Sequence, residues 1–231
     1  MKLIVTVIII CAATALLLTS ALFLPKIHLT LHNNAFINSI AKYQILVLAT
    51  ALFVLLLTIW IQPQSSSLLR LGDNSAIAGR VVWMGISGKN SWKKDALPIL
   101  ISISTATAIF MYLAVNKANS LSNFNWSFVP VILLFSATNA FSEEIIFRFG
   151  INGMLTDQCS KSTILITSAI LFGLAHYAGS PGGPVGIIMA GILGYLLSQI
   201  VYETRGLGLA WFIHFVQDVI IYTALMMINV R

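Results

Sequence analysis

Charge is what this 231-residue sequence has least of. Only 9% of its residues are Asp, Glu, Lys or Arg, and only seven of those are acids. A soluble domain carries roughly 25% charged residues, so a compact water-soluble core of this size would have no adequate charged coat. Cysteine is scarcer still. Cys11 lies in an apolar run and Cys159 in a short polar one, which makes neither a disulfide framework nor a metal-ligand pattern. The 13 basic residues are scattered between apolar runs instead of clustering. That excludes a recognisable nucleic-acid-binding module and leaves a membrane surface as the partner of the +6 net charge. No period of 20 to 50 residues repeats, which excludes solenoids and gives no sign of an inverted-repeat transporter.

What the sequence has in abundance is apolar length: 58% hydrophobic residues and a mean hydropathy of +0.92. A spanning helix needs about 20 mostly apolar residues. Seven segments qualify, at about 3–24, 44–61, 97–114, 129–153, 164–179, 185–203 and 207–229. The expected fold is therefore all-α, a polytopic helical protein with about seven transmembrane helices, integral and multi-pass. Residues 1–128 hold the N-terminal helices and a basic loop, and 129–231 form a helical core within one membrane domain. The first segment is too long for the roughly 7 to 15 apolar residues of a signal peptide and reads as a retained span. Gly179-Ser180-Pro181-Gly182-Gly183-Pro184 blocks helix continuation and predicts a tight hairpin between the fifth and sixth segments.

With seven spans, Lys2, Arg70, Arg80, Lys89, Lys93, Lys94, Lys161 and Arg205 fall on one side, and Lys26, Lys42, Lys117 and Arg231 on the other. The positive-inside rule assigns the first set, and with it the N-terminus, to the cytoplasm. The segment from about 62 to 96 reads as a solvated basic loop near anionic lipid, with an amphipathic surface helix around Leu68 to Trp83 as the alternative.

Against this background the ionisable residues inside the spans stand out: Glu143, Glu144 and Arg148 in the fourth, His176 in the fifth, His214 and Asp218 in the seventh. A charge at that depth costs on the order of 2.5 to 3.5 kcal/mol, so such residues mark a functional site by default. Glu144 and Arg148 stand at i and i+4 and should pair, whereas Glu143 lies about 100° further round the helix and points elsewhere. His214 with Asp218, and Phe172 with His176, repeat the i, i+4 spacing. Counting about 1.5 Å per residue from the cytoplasmic ends puts Glu143, His176, His214 and Asp218 at roughly 15, 18, 10 and 16 Å, one layer fed by three helices. The small residues Gly186, Ala190, Gly194 and Ser198 form a stripe on the sixth segment that reads as a packing seam. The loop histidines His28 and His32 read as non-ligating, and Asn139, Asn152 and Glu203 carry no assigned role. Such a constellation suits proton or ion passage as well as hydrolysis.

Glu143-Glu144-Ile145-Ile146-Phe147-Arg148 matches an EExxxR motif, Phe172 to His176 an FxxxH motif, and His214 to Asp218 an HxxxN/D motif. In this order, across about residues 129–229, the chain resembles the CAAX protease and bacteriocin-processing (Abi) family of intramembrane endopeptidases. The third motif ends in Asp218 where the prenyl-protein endopeptidases usually have Asn, which points to the broader group found in bacterial-type cell membranes. The resemblance implies hydrolysis of a peptide bond in a membrane-associated protein or peptide. On this reading Glu143 is the general base, His176 helps hold the water, His214 donates to the oxyanion, and Asp218 orients it or binds the substrate backbone. Glu144, Arg148 and Phe172 support the site.

The family has been described both as zinc enzymes and as glutamate proteases. A zinc ion would take His176, His214 and Glu143 as ligands and keep a fourth position open, but there is no HExxH motif. The metal-free glutamate mechanism, with no cofactor, is the expectation. A non-proteolytic protein, acting in ion passage or in bacteriocin immunity by binding, is the alternative.

Overall fold

The computed structural model describes residues 2–230, so Arg231, which entered the count of charges by side, lies outside it. The described chain is helical and contains no named strand. Its helices are α1 (Lys2–Phe23), α2 (Ala35–Ile61), α3 (Trp92–Lys117), α4 (Val129–Glu144), α5 (Gly150–Leu155), α6 (Lys161–Ala175), α7 (Gly183–Thr204) and α8 (Gly208–Asn229). Asn34 starts α2 by accepting from the Phe36 and Ile37 amides, and the Ser160 hydroxyl starts α6 by accepting from Thr163 N–H. Pro130 and Pro184 sit in the first turns of α4 and α7, where a missing N–H costs nothing.

Among the described residues, six helical segments are long and apolar enough to cross a membrane, and together they make a polytopic helical membrane protein. The fifth expected span, α6, has only 15 residues, about 22 Å of helix, which falls short on length. It nevertheless runs antiparallel along α7. Lys161 at its start pairs with Glu203 in the last turn of α7, and Ser168 Oγ lies 3.4 Å from the Gly194 carbonyl oxygen midway. The predicted hairpin is present, and it is the α7 stripe that makes the close approach. A Cβ on Gly194 would stand 3.1 Å from that of Phe172, and one on Gly173 would run into the Ile187 carbonyl oxygen.

The remaining contacts close the bundle: α8 lies between α3 and α4, α2 packs on α4, and α1 packs on α5 and α6. The largest core cluster includes Ile10, Val54, Phe147, Phe172 and Leu197, while Leu52, Phe53, Leu56 and Ile109 face outward, as lipid-facing surfaces require.

Two expectations change. The basic segment forms no surface helix, and although Arg70, Arg80, Lys89, Lys93 and Lys94 are exposed as in a solvated loop, its backbone is docked on the bundle. Residues 63–91 fold as short 3₁₀ turns and two isolated bridges laid across the ends of α7 and α8. Asp73 N–H donates to the Thr204 carbonyl and Leu207 N–H to that of Arg70, while Ala78, Ile86 and Trp92 are buried. The anchor is Glu203. It pairs with Lys161 and accepts from the Gly79 amide (2.9 Å), Trp92 Nε1 (2.8 Å) and Gln199 Nε2 (3.1 Å). Apolar residues interleaved with the charges make this packing possible, and a reading by charge alone overlooks them.

The fourth span, in turn, is not one continuous α-helix. Ile145–Phe149 is a π-helical turn between α4 and α5, with Gly150 N–H bonded to the Ile145 carbonyl five residues back.

Candidate active site

All seven residues singled out from the sequence meet in one buried cluster. Glu143 and Glu144 come from the end of α4, Arg148 from the π turn, Phe172 from α6, His176 from the residue just past α6, and His214 and Asp218 from α8. Glu143 Oε2 lies 3.5 Å from His214 Nε2 and 3.7 Å from His176 Nε2. His214 Nδ1 lies 2.8 Å from Glu144 Oε1, and Asp218 Oδ1 is 3.8 Å from His214 Nε2.

The partners of the two imidazoles fix their ring protons. His176 Nδ1 lies 2.9 Å from the Phe172 carbonyl oxygen and His214 Nδ1 faces a carboxylate oxygen. Both partners only accept, so each Nδ1–H donates and each Nε2 is turned toward Glu143. Adjacent glutamates on one helix were expected to point apart. Here they flank opposite nitrogens of the same imidazole, Glu144 by a hydrogen bond to Nδ1 and Glu143 at 3.5 Å from Nε2.

Arg148 is fully buried, 3.4 Å from Glu144 Oε1, with its guanidinium carbon 3.9 Å from the Phe172 ring centroid. The expected Glu144–Arg148 pair exists, but Glu144 divides itself between Arg148 and His214. Phe172 fills the space among the three, with ring contacts to His176 (4.4 Å) and His214 (5.6 Å).

Sequence reasoning gave no role to Asn139. It lies one turn before Glu143, and its Nδ2 donates to Glu143 Oε1 (3.2 Å) and Asp218 Oδ2 (3.1 Å). Its signal was a neutral amide at i−4 from a buried acid. Once Glu143 Oε1 is taken by this bond, Oε2 has no hydrogen-bond partner among the described residues.

Two cavities, of about 370 and 390 Å³, reach the cluster from opposite sides and share His176, Ser180, Asp218 and Ile221 in their walls. The first extends between α3 and α7 to Trp83. The second carries Glu143 and Asn139 and extends past Tyr43 to Leu17. A peptide and a water thus have space beside Glu143. Among the described residues, no group of three or more His, Cys, Asp or Glu side chains is arranged as a metal site.

Residues 125–220 match the family model described as Rce1-like, type II CAAX prenyl endopeptidase. The matched stretch contains all seven residues and Asn139, and the resemblance carried by the three motifs holds. No curated protein and no solved structure matches the chain.

Proposed function

Since residues 125–220 are an Rce1-like segment of the CAAX protease family and the chain is a multi-pass membrane protein, we propose that it is an intramembrane peptidase in which Glu143 activates the attacking water without a metal. The observation that carries this reading is Glu143 Oε2: buried, without a hydrogen-bond donor among the described residues, and within 3.7 Å of Nε2 on both histidines. A water drawn from the adjoining cavity donates one hydrogen to Glu143 and the other to His176 Nε2. Glu143 takes a proton as the water oxygen bonds to the carbonyl carbon of the substrate. His214, with carboxylates at both ring nitrogens, acts as an imidazolium whose Nε2–H donates to the oxyanion. Glu143 then returns its proton to the leaving nitrogen as the C–N bond breaks. Asp218 holds His214 in place.

The substrate is a membrane-associated protein or peptide. The basic cap around Arg70 and Lys94 supports a cytoplasmic N-terminus.

The test is cleavage of membrane-anchored peptides by the reconstituted protein. Wild type cleaves, while folded Glu143→Ala and His176→Ala lose about 10²- to 10⁴-fold in rate. Variants that match wild type would refute the assignment, and activity lost on stringent chelation and restored by zinc alone would refute the metal-free mechanism.

A further inference from the structure

The catalytic cluster is linked to a helix outside the family-matched stretch. Gln44, on α2, is buried. Its Nε2 lies 3.3 Å from Asn139 Oδ1 and 2.8 Å from the Tyr222 hydroxyl, while its Oε1 accepts from Thr138 Oγ1 at 2.7 Å. We infer that Gln44 and Asn139 are positioning residues that select Oε2 of Glu143 as the basic oxygen. The inference rests on the glutamate mechanism and assigns residues to it.

An amide has one donating and one accepting end. Asn139 sits between two carboxylates and Gln44. If its Oδ1 faced the carboxylates, three acceptors would meet with no hydrogen among them, in a setting where an unsatisfied buried polar group is costly. Gln44 prevents that flip by donating to Oδ1, and Gln44 is itself held with its oxygen toward Thr138 and its nitrogen toward Asn139. The locked Nδ2 then spends one hydrogen on Glu143 Oε1 and the other on Asp218 Oδ2. Three consequences follow. Glu143 Oε1 is occupied, Oε2 is turned to the histidines, and two like-charged side chains from α4 and α8 are bridged instead of repelling. A base displaced by ~1 Å can lose ~100-fold in rate, so this bridge belongs to catalysis as well as to packing. Neither residue touches the reacting atoms.

The experiment is a double-mutant cycle on the full chain in detergent or liposomes, with kcat and KM measured on a membrane-anchored peptide. Asn139→Leu should lower kcat by ~10- to ~100-fold with KM within about twofold. Asn139→Asp, although isosteric, should be at least as harmful, since it replaces the donor by a third carboxylate oxygen. Gln44→Met should lower kcat by only a few-fold, ~3 to ~10, and should add nothing on top of Asn139→Leu, because it acts through that side chain.

A purely structural role predicts other outcomes, each of which would overturn the inference: Asn139→Asp near wild type, multiplicative effects of Gln44→Met and Asn139→Leu, or kcat per folded molecule unchanged. Gln44→Met keeps length and volume and so remains informative if the Asn139 variants fold poorly. Glu143→Ala, run alongside, separates the two failures. If it still cleaves, the mechanism is wrong. If it is dead while Asn139→Leu is unimpaired, only the positioning role is wrong.

Discussion

Two glutamates, Glu203 in the last turn of α7 and Glu143 within the fourth span, show what distinguishes a structural carboxylate from one proposed as a base. Glu203 and Glu143 are similarly shielded, with side chains 11% and 7% exposed. Glu203 is saturated: Lys161, Trp92, Gly79 and Gln199 all direct hydrogens at it. Glu143 has one donor, Asn139, on one oxygen and none on the other among the described residues. Depth does not separate them. A carboxylate whose lone pairs are filled by donors holds a loop onto a helix end, whereas one left open beside a cavity is available to a water.

Substitutions that exchange stability for activity sharpen this contrast. The largest stability effect is expected within the site, at the neighbour of the base. Glu144→Gln leaves fully buried Arg148 without its anion and should cost about 3 to 5 kcal/mol, while Glu143→Gln, which strands no cation, should leave thermal stability in detergent close to wild type. Equal melting temperatures for the two variants would end that division of labour.

Next comes the structural glutamate. Glu203→Ala strands the Trp92 and Gly79 donors and should cost about 2 kcal/mol, with cleavage per folded molecule unchanged. A drop in turnover equal to that of Glu143→Ala would erase the distinction. The smallest effect is expected for Lys161→Met. Lys161 is 37% exposed, so solvent screens its pairing and the change in stability should stay below about 1 kcal/mol.

How much of this was legible in the sequence follows from which features carry a periodic or energetic signature. The seven residues of the candidate site are legible because a charge in an apolar helix is conspicuous and because i, i+4 spacing places Glu144 with Arg148 and His214 with Asp218. The hairpin was legible in the Gly and Pro run before Pro184. Asn139 and Gln44 were not assigned roles, because a neutral amide in a span is cheaper than a charge and its partners lie on other helices. Six spans by length replace seven because the hydropathy of α6 carried on past the point where His176 leaves the helix. The docking of the loop is not legible because Ala78 and Trp92 are ordinary residues whose burial depends on where α7 and α8 end.

The π turn at Ile145–Phe149 went unseen as well, since no proline or glycine within it announces it. Its consequence is one of phase. Below the turn, Gly150 and Gly153 fit against Ile10, Val54, Thr58 and Ser65 so closely that added Cβ atoms would lie about 3 Å from them. Above it, Glu143 faces the histidines and Asn139 bridges Glu143 to Asp218. The additional residue in the turn offsets the helix between those two demands, so one span satisfies two surfaces that a uniform helix would leave out of step. Were the same residues wound as a uniform α-helix, the anchoring half would turn by about 100° relative to the reactive half, and Gly150 and Gly153 would leave the tight contacts they now make, although no residue had changed.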